Sequence, residues 1–121
     1  MAKEFMRKST EDLIYIPKIF MDDEKPLKFK FKPLTNKEIA QIDDKLSAYD
    51  VYDNKIITAT NELNLILATD KLVGWENLIV DGIELDFNKA LLDEIDIVDE
   101  LVELGNYIYI VSKYPNTKIE Y

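Results

Sequence analysis

Carboxylates are the side chains here with the widest scope for chemistry, because the sequence has 24 Asp plus Glu and neither His nor Cys. They stand in adjacent pairs at Asp22 and Asp23, Asp43 and Asp44, Asp93 and Glu94, and Asp99 and Glu100. Acid–base work needs two groups that converge on one substrate atom. Neighbouring helical residues instead diverge by about a hundred degrees, so these pairs read as solvated faces. A calcium loop needs oxygen ligands at alternate positions, a central Gly and a terminal bidentate Glu; Asp81-Gly82-Ile83-Glu84 offers only a fragment of that. Without His and Cys there are no thiolate nucleophiles, no disulfides, no zinc sites of the usual kinds and no side chain whose ordinary pKa lies near neutrality. Gly74, Gly82 and Gly105 are isolated, so no glycine-rich loop cradles a phosphate. The expectation is a non-enzymatic protein with no catalytic residue, no metal and no cofactor.

The charge balance narrows the partners. Fifteen Lys plus Arg against 24 acidic residues give a net charge of −9, which repels polyanions and disfavours nucleic acid. Imitation of DNA charge ranks third among the functions considered, because Lys is interspersed along the chain and breaks any continuous negative stripe. No apolar run reaches the length of about 18 residues that spans a bilayer, and Met1 to Lys8 has no apolar signal core. The expected location is the cytoplasm in which the chain is made, or a particle assembled there.

At 121 residues with 47% hydrophobic content, the chain can close one core, so residues 1–121 read as a single domain. Leu13 to Phe20 is β-rich, with Pro17 confining it to an edge or a bend. Leu27 to Lys32 alternates strictly: Leu27, Phe29 and Phe31 on one face, three lysines on the other. The two runs predict an N-terminal β-hairpin. Thr35 and Glu38 have capping-box spacing ahead of a helix over about Asn36 to Tyr49, and a second helix runs from about Ile56 to Thr69. Val73 to Val80, the turn signal Asp81-Gly82, and alternating Ile83, Leu85 and Phe87 predict a second small hairpin. Asn88 caps a short turn through Leu92. Asp96 with Asp99 is read as the cap of a last helix that carries Ile97, Leu101, Leu104, Ile108 and Val111 as its stripe. The fold class is therefore α+β, with a mainly helical body of three to four helices. Residues 1–11 form a possible arm and 116–121 a tail that frays.

Trp75, among Val73, Leu78 and Ile79, reads first as a core anchor between the small hairpin and the last helix, with an exposed hot spot as the sharper alternative. Gly82 and Phe87 are structural anchors of the same hairpin. Gly105, inside the last helix, costs about 1 kcal/mol relative to Ala and so points to close packing against a neighbour. Val98, Val102, Tyr109 and Ile110 lie off the stripe of that helix yet are apolar or aromatic, which marks them as candidates for contact with another protein. Asp99, Glu100 and Glu103 would rim that surface, and the hairpin face at Phe29 and Phe31 is a further candidate. Met1 to Lys8, with Lys3, Arg7 and Lys8 around Phe5 and Met6, is a loose tail or an arm for a neighbouring subunit.

Two segments resemble the tail assembly chaperones of tailed bacteriophages and prophages of Gram-positive bacteria. One is Phe29-Lys30-Phe31-Lys32-Pro33-Leu34-Thr35-Asn36-Lys37-Glu38, an aromatic-basic strand running through Pro-Leu-Thr into a helix. The other is Val73-Gly74-Trp75-Glu76-Asn77-Leu78 with Asp81-Gly82 and Leu85-Asp86-Phe87-Asn88, ahead of the last helix. The likeness covers roughly Leu27 to Ser112. It implies a non-catalytic protein that binds tape-measure and tail-tube proteins in the host cytoplasm during assembly, with homo-oligomers possible and neither nucleic acid nor membrane as a partner. The alternative is a permanent virion component, such as a capsid decoration (minor capsid) protein or a head–tail joining subunit.

Overall fold

The computed structural model describes residues 11–53 and 56–115. The proposed arm and tail fall almost wholly outside them.

Alternation in Leu27 to Lys32 makes the central strand, β2 (Lys28–Phe31), whose Phe29 and Phe31 are wholly buried. It pairs antiparallel with β1 (Leu13–Tyr15) on one side and with β3 (Leu72–Glu76) on the other. Phe29 stands opposite Tyr15 and Trp75, and the register with β3 slips between Lys30 and Phe31. The lysines take the outer face, where Lys30 meets Glu76 and Lys32 meets Asp12, both at 3.5 Å and largely exposed. Pairs like these add little to stability; the aromatic inner face carries the sheet.

The capping box forms as read: Thr35 N–H donates to Glu38 Oε1 at 3.0 Å and Glu38 N–H to Thr35 Oγ1 at 3.3 Å, opening α1 (Asn36–Asp53). Glu38 also meets Lys71 at 2.5 Å, at the end of α2 (Ile56–Lys71). Burial pushes the Glu38 carboxyl up, but hydrogen bonds from Lys71 and Thr35 outweigh it and hold the group below its usual range. Gly82 and Asp81 both adopt positive φ, 79° and 52°, the turn that joins β4 (Ile79–Val80) to β5 (Ile83–Glu84). Asn88 then accepts from Ala90 N–H at 3.0 Å and starts a 3-10 turn over Lys89–Glu94.

The last helix, α3 (Val98–Lys113), buries Leu101, Leu104 and Ile108 along the expected stripe. One flank meets the sheet through Tyr107, whose ring lies 4.4 Å from Tyr15 and edge-on to Phe31 at 5.8 Å. Another flank meets α2 at Gly105, where a Cβ would fall 1.9 Å from the Asn64 carbonyl oxygen. That neighbour is intramolecular, and only glycine permits so close a main-chain approach. Sheet, α2 and α3 thus share one apolar core in an α+β fold with a mainly helical body. No helix among the described residues is long and apolar enough to cross a membrane.

The first strand lies at the sheet edge and stops at Tyr15, and Pro17 bends the chain into a 3-10 turn over Lys18–Phe20, as the proline implied. Three expectations need correction. Leu72–Glu76 is not an arm of the small hairpin; it completes the N-terminal sheet, and the hairpin is left with two-residue strands. Neither Asp96 nor Asp99 caps α3. Ile97 takes the cap position with no side-chain hydrogen bond, its side chain drawn into the core at 8% exposure. Finally, Phe29 and Phe31 cannot be a docking face, since their own domain covers both completely.

Candidate protein-binding surface

Each end of α3 uses its off-stripe residues differently. Towards the C-terminus the Tyr109 hydroxyl donates to Asp43 Oδ1 of α1, and Lys113 Nζ reaches Asp43 Oδ2 at 2.8 Å and the Tyr109 hydroxyl oxygen at 3.1 Å. Hydrogen bonds from Lys113 and Tyr109 hold the Asp43 carboxyl below its usual range, against a smaller opposing effect of burial. Lys113 is pushed up by its bonds to Asp43 and Tyr109. Tyr109 is pushed up by burial and by the Asp43 carboxylate that accepts its hydrogen bond. Its ring also packs against the core, so Tyr109 is an internal tie rather than a free contact. Leu34 N–H donates to the buried Ser112 Oγ at 2.9 Å, fixing the same end again.

Glu103 leaves the proposed acidic rim as well. Its Oε2 accepts the Tyr15 hydroxyl at 2.6 Å and the Lys18 N–H at 3.0 Å, which fastens the β1 edge to α3. Val102 and Ile110 are partly exposed.

At the N-terminal end Val98 is half exposed. Because Ile97 turns inward, its N–H bonding to Ile95 O at 3.0 Å, the next side chain is turned outward. Beside Val98 lies Ile66 of α2, 54% exposed although it sits on the apolar side of that helix. Leu65, Ile66 and Leu67 are consecutive, and three successive helical side chains sweep about 200°, more than one packing face can cover. That run is the signal by which Ile66 was legible and was missed. Between these two helices and the 3-10 turn runs an open trough of about 460 Å³, walled by Leu65, Ile66, Leu92, Ile95, Val98 and Leu101. Its polar lining is Asp70, Asp93 and Thr69, and the Thr69 hydroxyl is already committed to Leu65 O at 2.8 Å. Such walls offer area for an apolar side chain and almost no directional hydrogen bonding, which suits a protein surface better than a small molecule.

Trp75 is 7% exposed and donates its indole N–H to Leu85 O at 2.8 Å, with the Phe87 ring edge-on at 4.8 Å. It anchors the small hairpin to the sheet, and Phe87, 38% exposed, partly shields it. The carboxylate pairs are scattered: Asp22, Asp23, Asp93, Glu94 and Asp99 are exposed, and Asp43 is spent on α3. No family model, curated protein or solved structure matches this chain.

Proposed function

We propose that this chain is a non-catalytic assembly protein of a tailed bacteriophage, a tail assembly chaperone that binds tape-measure and tail-tube proteins in the host cytoplasm. The observation that carries the reading is the trough at the N-terminal end of α3, where Ile66 and Val98 remain half exposed beside buried leucines. A chaperone for an aggregation-prone chain needs apolar area on a body that stays dispersed, and the net charge of −9 supplies the second requirement. The strand-to-helix and Gly-Trp/Asp-Gly segments that resemble the chaperones support the same reading. A permanent virion subunit is the second reading, favoured by Ile14 on β1 and Ile19 in the 3-10 turn after it, 51% and 72% exposed, which would suit a lattice contact.

Co-expression with the tail and capsid proteins encoded beside the gene tests both. A chaperone co-purifies with a tail protein, loses it on Val98→Asp, and is absent from purified particles. Presence in particles at a fixed multiple selects the second reading, and association with no phage protein rejects both.

A further inference from the structure

The trough between α2 and α3 does not stand alone. Ile95 lines it and also lines a second trough of about 350 Å³ that runs past Leu27, Leu78 and Val80 to the small hairpin. Carboxylates line both: Asp70 and Asp93 in the first, Asp81, Asp96 and Glu100 in the second, with no Lys or Arg among the lining residues. Two cations stand beside Asp70: Lys71, held by Glu38 at 2.5 Å, lies 4.0 Å from Asp70 Oδ2, and Lys89 Nζ donates to Asp70 O at 3.1 Å. Helix dipoles do not offset this charge. Asn64 lies against Gly105 while Asp70 and Val98 share the trough, so α2 and α3 run antiparallel, and the negative end of one adjoins the positive end of the other.

We infer that the α2–α3 trough binds an amphipathic helix of a partner protein, apolar at i, i+3/i+4 and i+7 along one face and flanked by Lys or Arg. The aliphatic walls around Ile66 and Val98 take the apolar face, and Asp93, with Asp81, Asp96 and Glu100 on the far side of Ile95, meets the flanking cations. This deepens the protein-binding reading and rests on it, adding the chemistry of the partner. A helix flanked by Glu would place like charges together, so the site discriminates by sign as well as by fit.

The test uses the full chain and two synthetic peptides that share a Leu repeat at i, i+3, i+4 and i+7, one flanked by Lys and one by Glu, with binding read by fluorescence anisotropy. The Lys peptide should bind at least about tenfold more tightly than the Glu peptide at low salt, with the gap narrowing as salt is raised. Ile66→Ser and Val98→Ser should each weaken the Lys peptide several-fold while the melting temperature stays within a few degrees of the parent. Equal binding of both peptides, or binding untouched by the two substitutions, overturns the inference. So does a parent that sediments as a dimer and becomes a monomer on Val98→Ser, which would assign the trough to a second copy. So does tighter binding after removal of residues 1–10, which would assign it to the chain's own basic segment. If neither peptide binds while a phage protein still co-purifies, the partner chemistry is wrong and the assembly role stands.

Discussion

Within α3 the two ends carry similar residue types to opposite effect. Tyr109 and Lys113 near the C-terminus meet Asp43 of α1, and Ser112 beside them receives Leu34 N–H, so groups that look surplus to the packing stripe are consumed by the fold. Val98 at the N-terminus meets open space next to Ile66. An amphipathic analysis treats Tyr109 and Val98 alike, because each lies off the stripe. The difference is that a tyrosine hydroxyl has a partner to find, whereas an exposed valine has only area to offer. Surplus apolarity on a helix is therefore evidence for a partner only where no polar handle ties the side chain to its own domain.

The sharpest test of this contrast lies at the tied end. Ile108→Ala, at a fully buried site, should cost about 2–5 kcal/mol by urea denaturation, whereas Val98→Ala should stay within about 0.5 kcal/mol. Comparable losses would mean that the two ends are packed alike. A smaller but more specific effect belongs to Asp43. Its folded carboxyl titrates below the ordinary value, so its contribution is present above that value and is lost as pH falls through the depressed one. Tyr109 and Lys113 are raised above their ordinary values of 10.0 and 10.5, so their contribution is present below pH 10 and declines above it. Asp43→Asn should flatten both limbs of the stability–pH profile at once; a change in neither limb would dissolve the tie. Smallest of all, Tyr109→Phe keeps the ring and removes one hydroxyl, for a loss of about 0.5–1.5 kcal/mol. A loss of partner binding with no loss of stability would instead return Tyr109 to the surface role first read for it.

Much of the fold was legible because its signals are local. Lys28 to Phe31 alternates and makes a strand, Thr35 and Glu38 close a capping box, and Asp81-Gly82 turns a hairpin with both residues at positive φ. The misreadings are non-local. Nothing near Leu72–Glu76 says that its partner is β2, about forty positions earlier, rather than the adjacent β4; that choice is made by the burial of Trp75, Phe29 and Phe31 together. Similarly, Asp96 and Asp99 are good caps, but core demand for Ile97 decides where the helix begins. Of the candidate site, Val98 was readable from one helix alone. Ile66 was legible only as surplus in the run Leu65-Ile66-Leu67; that its exposure falls beside Val98 depends on where α3 and the 3-10 turn leave room.

The contact of Gly105 with the Asn64 carbonyl has a bearing on recognition. Side chains repack readily, but a spacing set by main chain against main chain cannot relax. The spacing of the two helices is thus fixed at that point, and a helix docking in the trough would meet walls set in advance. If it does, most of the ordering cost falls on the incoming helix, so affinity should respond chiefly to how far that helix is already formed before it arrives.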